Sequence, residues 1–342
     1  MSQSSSINPQ RQRKFEQFEQ RLCMSAQSLA AVVPDFDALE IEINDPAAII
    51  AQSEIIGASI DAAAHNFGFD GAGQTVAVID SGIAFDHHAL GNGYGEGHKV
   101  VGGYDFAERD DNPYDDGPAG FHGTHVAGII ASEDDTYRGI ASGADLVGLR
   151  VFNDAGEGEI AWVEQALRWV HNHKDSFENP ITTVNLSLGT SWNGVNSPEW
   201  ATLEEEFAQL EADGIFISVA AGNEFESYNS KGLSYPAVSE FVVPVSSHDS
   251  GYELSDFSQR DDHVLVAPGE RVTSTVPGHI FGGGQNRFLG ATGTSQAAPY
   301  VAGASAVLNV IDARAEKLFT PNSILEGGTS KITITLINTD TV

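Results

Sequence analysis

Cysteine is almost absent from this chain: Cys23 is alone among 342 residues, which excludes an intrachain disulfide. A chain of this length can build a sizeable core without one, so the lack does not indicate a compartment. Basic residues are scarce, 17 Lys and Arg against 48 Asp and Glu, and the net charge is −31. Nucleic acid is thereby excluded as a partner, because phosphate binding needs a basic surface. The charge favours solubility and tolerance of salt, and a preference for basic substrates is its less economical explanation. No apolar run approaches the ~20 residues of a membrane-spanning helix. The zinc-protease pattern HExxH is missing as well.

What remains is a globular composition, 41% hydrophobic and rich in glycine, with 36 Gly. The first 23 residues differ from the rest. They set Arg11, Arg13, Lys14 and Arg21 against Glu16 and Glu19, a basic start on an acidic chain, with no apolar core of a secretory signal. "KFEQFEQRLCMSA" (14–26) resembles the LEPR-XLL-type leader of exported bacterial proteins through Phe15, Glu16, Glu19, Arg21, Leu22 and Ser25, although Phe18 stands where that leader usually has Leu. A short amphipathic helix accounts for it equally well. Residues 1–53 therefore read as a leader and a short pre-domain segment, and secretion or cell-surface display is the expected destination.

From about residue 54 short apolar runs alternate with amphipathic ones. Residues 75–80, 144–152, 181–189, 214–223 and 263–269 read as buried strands, β-branched and nearly continuous in apolar character. Ile160, Val163, Leu167 and Val170 mark one helix face. Leu203, Phe207 and Leu210 mark another, with Ser197-Pro198 as its expected cap and first turn. This alternation predicts an α/β domain with a parallel sheet covered on both faces, and sites at the carboxyl ends of its strands. From about 313 the pattern changes. "KITITLINT" (331–339) alternates strictly, as one half-buried strand that either pairs onto the main body or opens a further β domain within 313–342.

Three reactive side chains fall at strand ends or helix starts. Asp80 closes "TVAVIDSG", His122 sits in "GFHGTHVAGII", and Ser295 stands in "ATGTSQAAPYVAG" ahead of the helical spacing Ala298, Val301, Ala302. Ser295 alone fits two roles, a helix N-cap or a nucleophile at the positive end of a helix dipole. The other two bear on the choice: a buried Asp orienting a His that takes the proton of a Ser is acyl-transfer chemistry. The order Asp, His, Ser along the chain is that of subtilisin.

The stretches "AVIDSG", "HGTHVAG", "NLSLG", "SVAAGNE", "VLVAPG" and "GTSQAAP" resemble, in order, the signature segments of subtilisin-like serine proteases, over roughly residues 55–312. Each is weak alone, and together they are specific. The resemblance implies a three-layer αβα sandwich with a mainly parallel central sheet, and a catalytic domain at 54–312. It implies a serine endopeptidase working through an acyl-enzyme, with Asp80 as orienting acid, His122 as general base, Ser295 as nucleophile, and Asn223 with the Ser295 N–H as oxyanion donors. It implies pocket walls at Ser187-Leu188-Gly189 and Ala220-Ala221-Gly222, and an edge at Gly156-Glu157-Gly158 that pairs with an extended peptide. Glu157 and Glu159 on that edge suggest a preference for basic side chains, though a solvated acidic loop explains them more simply. The expected partners are protein or peptide substrates, and the expected state is a monomer.

Gln296 and Tyr300 depart from the family's usual Met and His, and both read as packing changes. Val126 stands where thiol-dependent members carry Cys, so Cys23 is not expected to be catalytic. The ~50 residues ahead of the domain are short for the family's inhibitory propeptide. The chemistry requires no cofactor. Asp110, Asp111, Asn112, Asp115 and Asp116 form a cluster of hard oxygen ligands that suits a structural Ca²⁺, with a solvated acidic loop as the alternative. His122 and His125, three apart, raise zinc as a weaker thought. His87 and His88 match no catalytic position and read as surface or loop histidines. Two other classes stay open: a non-catalytic module that binds extended peptides on the same fold, and a metal hydrolase using the histidine pair.

Overall fold

The computed structural model describes residues 69–117, 120–281 and 287–318, and side chains as far as residue 310. The leader, Cys23 and the 331–339 strand lie outside the described residues. Seven strands form one sheet: β1 (Thr75–Asp80), β2 (Val100–Asp105), β3 (Asp145–Arg150), β4 (Ile181–Leu186), β5 (Phe216–Ala220), β6 (Val243–His248) and β7 (Leu265–Pro268). Their order is β2-β3-β1-β4-β5-β6-β7, and every pairing is parallel. Four longer helices cover it: α1 (His122–Ala131), α2 (Ile160–His173), α3 (Glu204–Ala212) and α4 (Thr294–Leu318). An antiparallel hairpin of β8 (Val272–Val276) and β9 (Arg287–Ala291) stands apart from the sheet.

The side-chain alternation of β1 explains the layering. Ala77 and Ile79 point into a core with Val163, Leu167 and Val170 of α2 and Phe207 and Leu210 of α3. Val76 and Val78 point into a second core with Val126 and Ile130 of α1 and Ala302 and Ala306 of α4. Successive residues face opposite sides of a strand, so a strand buried on both faces must be apolar throughout, and every residue of β1 is buried. The chain is thus the expected three-layer α/β sandwich. β1 is also its pivot: the chain runs to β2 and β3 on one side and to β4–β7 on the other. In such sheets sites lie outside the carboxyl ends of the strands, where the winding changes direction.

One expectation needs correction. Ser197 and Pro198 do not cap α3, which starts only at Glu204. Pro198 instead closes a turn with Ala201 N–H, and Ser197 Oγ donates to Glu204 Oε1 at 3.1 Å. The N–H of Leu203, just ahead of the helix, is satisfied by the Tyr235 hydroxyl at 2.9 Å. At the other end α4 continues to Leu318, past residue 312.

Candidate active site

Asp80 is the last residue of β1 and is fully buried. His122 is the first residue of α1. Its Nδ1 lies 2.8 Å from Asp80 Oδ1 and 3.0 Å from Oδ2, and the Ser81 N–H donates to Oδ1 at 2.7 Å. Burial alone would lower the His122 pKa, but the charge and hydrogen bond of Asp80 outweigh it and hold His122 above its usual 6.5. With Nδ1 engaged by a carboxylate, the ring of a neutral His122 presents Nε2 as a base.

Glycine makes this approach possible. A methyl at Gly123 would overlap the Gly82 carbonyl oxygen and sit 3.1 Å from Asp80 Cβ. Further along α1, the hairpin docks on the helix through hydroxyls: Ser274 Oγ donates to the His125 carbonyl and Thr275 Oγ1 to the Thr124 carbonyl, both at 2.7 Å. His125 completes that seam. Its ring is buried, with Nε2 3.0 Å from the Val272 carbonyl and 3.1 Å from that of Leu289, and burial pushes its pKa down to about 4. His122 and His125 therefore serve different partners and do not form a metal pair. His87 is not a surface residue either, for it is buried with Nε2 2.9 Å from the Arg287 carbonyl.

Ser295 lies in the first turn of α4, one residue inside it, so it is not the N-cap. It is half-buried, and its Oγ donates to the Ser187 carbonyl at 3.0 Å. Ser187 returns the contact, its hydroxyl donating to the Ser295 carbonyl at 2.8 Å while accepting from Asn185 Nδ2 at 3.0 Å. Small residues permit this seat. Ala297, Ala298 and Val301 pack the first turns of α4 against Ala220, Val245 and Ala267 of the sheet. Asn223 follows β5 and is exposed. Its Oδ1 accepts from both the N–H and the hydroxyl of Thr294, at 2.8 and 2.9 Å, which points its amide nitrogen away from Thr294.

The two expected pocket walls converge on one residue. A methyl at Gly189 would meet Ser234 Oγ at 2.7 Å, and one at Gly222 would meet Ser234 Cβ at 2.9 Å. Gly222 has φ +111°, a conformation that favours glycine. Its N–H donates to Thr294 Oγ1 at 3.2 Å, which ties this wall to α4. The edge at Gly156-Glu157-Gly158 is exposed and folded back on Asn153, whose Oδ1 accepts the Ala155 and Glu157 N–H groups, both at 3.0 Å. Glu157 Oε2 accepts from Asn153 Nδ2 at 3.0 Å, so part of that side chain's capacity is spent inside the loop.

The five residues expected to hold calcium are not brought together. Asp110 Oδ1 accepts the Asn112 N–H, Asp116 pairs with Arg150 at 2.8 Å, and Asp115 is fully buried on other partners. Among the described residues no group of three or more His, Cys, Asp and Glu side chains is placed to hold a metal ion. Asp116 is drawn off by Arg150, which ends β3 almost wholly buried and also holds Asp105 (2.9 Å) and Asp154 (2.6 Å) on its guanidinium.

The sequence model of the Subtilase family matches residues 71–339. The chain belongs to the subtilase family. It is 33% identical to subtilisin amylosacchariticus of Bacillus subtilis subsp. amylosacchariticus over 250 residues, 72% of this chain and 58% of that protein. It is 32% identical to the subtilisin of Bacillus pumilus, over 72% of this chain and 80% of that one. An alkaline protease of Alkalihalobacillus alcalophilus is 32% identical over 80% of this chain and 66% of its own length. The crystal structure of a cold-adapted subtilisin-like serine proteinase superposes with a TM-score of 0.56 at 31% identity, covering 70% of this chain and 76% of that one.

Three groups that the sequence did not assign to the Asp80–His122 pair are hydrogen-bonded to one another beside it. Ser81 and Thr124 stand inside "AVIDSG" and "HGTHVAG", where their proximity to Asp80 and His122 was the available signal. Asp115 was visible only as one more residue of an acidic run. Its carboxylate accepts from Ser81 Oγ (3.0 Å), Thr124 N–H (3.1 Å) and Thr124 Oγ1 (2.5 Å), and burial pushes its pKa up to about 7.

Proposed function

We propose that this chain is a serine endopeptidase that hydrolyses peptide bonds through an acyl-enzyme. The observation that carries the reading is the 2.8 Å contact between His122 Nδ1 and the buried Asp80 carboxylate, on a helix, α1, that packs against α4, whose first turn holds Ser295. In the uncomplexed site Ser295 Oγ donates to Ser187. Catalytic hydrogen bonds commonly tighten only when substrate binds, so the serine turns to His122 Nε2 as the scissile carbonyl arrives.

Ser295 Oγ then attacks the carbonyl carbon and its proton passes to His122 Nε2. Asp80 stabilises the imidazolium without taking the proton itself. The carbonyl oxygen becomes an oxyanion facing Asn223 Nδ2 and the Ser295 N–H, one of the first-turn groups of α4 that have no intrahelical acceptor. Collapse of this intermediate expels the amine, which takes the proton from His122. Water, deprotonated by the same ring, hydrolyses the ester and frees Ser295. The substrate enters as an extended peptide with its primary side chain between Ser187-Leu188-Gly189 and Ala220-Ala221-Gly222.

Among the described residues no helix is long and apolar enough to cross a membrane. We place the protein outside the cell or on its surface, on the strength of the leader resemblance, and fractionation of the native host tests this.

The activity is tested with a fluorophosphonate probe and mass spectrometry of the labelled peptide. Label on Ser295 that disappears in His122→Ala supports the reading. Folded wild-type protein that takes no label overturns it and leaves the non-catalytic peptide-binding module.

A further inference from the structure

Asp105 and Asp115 are both fully buried, but in opposite ways. Asp105 faces the Arg150 guanidinium at 2.9 Å. Asp115, equally hidden from solvent, has no cationic partner among the described residues, and all its contacts are to neutral donors. An unpaired buried carboxylate costs several kcal/mol that its hydrogen bonds only partly offset. Such a group is poor value for stability alone, and its position suggests what it does instead.

Its partners are the residues that follow the acid–base pair in sequence. Ser81 comes directly after Asp80, and its Oγ donates to Asp115 Oδ1 while accepting the Gly123 N–H at 2.9 Å, the residue directly after His122. Thr124 gives both its N–H and its hydroxyl to Asp115 Oδ2, and the same hydroxyl accepts the Ala84 N–H at 2.9 Å. Glycine at 120 leaves the space, since a methyl there would overlap Asp115 Oδ1. We propose that Asp115 is a positioning residue for the Asp80–His122 pair, clamping the carboxyl end of β1 to the first turn of α1 through Ser81 and Thr124. The inference rests on the peptidase reading for its catalytic consequence, but not for the clamp itself.

Asp115 touches no reacting atom and acts through the two backbones it joins. Its charge also reaches His122. The other titratable groups around them are Asp80 from β1, His125 from α1, and Tyr114 and Asp116 from Asp115's own loop, Tyr114 being held by Asp86 at 2.6 Å. Asp80 and Asp115 both favour the imidazolium, so removing either charge moves His122 toward a lower pKa.

The test compares wild type with Asp115→Asn, which keeps the shape and removes the charge, and with Ser81→Ala, which cuts the clamp and keeps the charge. The His122 Cε1 proton is titrated by NMR, and kcat and KM are measured on a peptide substrate across pH. We expect kcat to fall about tenfold or more in both variants with KM little changed, since small misplacements of reacting groups carry costs of this size. The His122 midpoint moves to lower pH in Asp115→Asn and less in Ser81→Ala. A folded Asp115→Asn with wild-type kcat and midpoint overturns the inference, even if its thermal stability has dropped. If that variant does not fold, Ser81→Ala decides by the same readouts. A wild type that hydrolyses nothing and takes no fluorophosphonate overturns the peptidase reading alone, and the midpoint then still reports the clamp.

Discussion

Asn223 faces Thr294 with its oxygen. The Thr294 N–H can only donate, so the atom that meets it at 2.8 Å must be Oδ1, and the side-chain amide of Asn223 is thereby fixed in orientation. The nitrogen left over is the one an oxyanion requires. A donor held in place before substrate arrives costs no reorganisation when charge develops.

Asn223→Ala is expected to lower kcat by about 10²–10³ with little change in KM, a size that comes from the equivalent loss in subtilisin. Steady-state kinetics on a peptide substrate check it. The substitution also leaves the buried Thr294 N–H and hydroxyl without their acceptor, so the melting temperature should fall by a few degrees as well. A rise in KM with kcat unchanged would mean that Asn223 binds the ground state instead.

The pH profile follows from His122. In the proposed mechanism His122 must be neutral to accept the Ser295 proton, and its pKa is held above 6.5 by Asp80. The acid limb of kcat/KM is therefore expected to have its midpoint above pH 6.5. The contribution of the same pair to stability runs the other way. It is fully present below the unfolded histidine value and is lost as pH rises through the folded one. Asp80→Asn should depress kcat by about 10⁴, the size of the corresponding loss in trypsin, because the wrong tautomer then faces the serine.

Arg150 offers a test of the acidic loop. Replacing it by Met strands Asp105 without a cation, and breaking a buried pair of this kind costs about 3–5 kcal/mol. Urea titration should show the midpoint falling by a corresponding amount. A variant of wild-type stability would mean that Asp105 is neutral in the folded protein, the direction in which its burial already pushes it.

Gly123→Ala probes the contact between β1 and α1. The added methyl has the Gly82 carbonyl and Asp80 Cβ in its way, both of them backbone or stiff. Overpacking of this sort costs about 1–3 kcal/mol. Peptidase activity should fall by more than the loss of folded protein explains, since the strain is relieved by moving His122 away from Asp80.

How far the sequence revealed these relations depended on their range. β1, β3, β4 and β5 were legible because strands buried on both faces are continuously apolar. β2 was not, since "VVGGYD" holds two glycines that break the run, and β6 hides behind the Pro and Ser of "VPVSSH". The start of α3 was misread because Ser-Pro looks like a cap, whereas Ser197 spends its hydroxyl on Glu204. Asp80, His122, Asn223 and Ser295 each stood in a recognisable local setting. Asp115 did not. A run of acids reads as a solvated loop or a cation site, and its burial is decided by Ser81, 34 positions away. Arg150 likewise disposes of Asp116 across 34 positions, which no local pattern announces.

The burial of β1 on both faces has a consequence for survival. Its amides lie beneath two layers of helices, so they should exchange with solvent only through global unfolding. Asp80 ends that strand, and its hold on His122 lasts as long as the domain does. With the proposed activity, the protein is dangerous chiefly to its own partly opened copies. A site anchored on the last strand to open offers few such openings, so heat inactivation and self-digestion should begin together rather than in sequence.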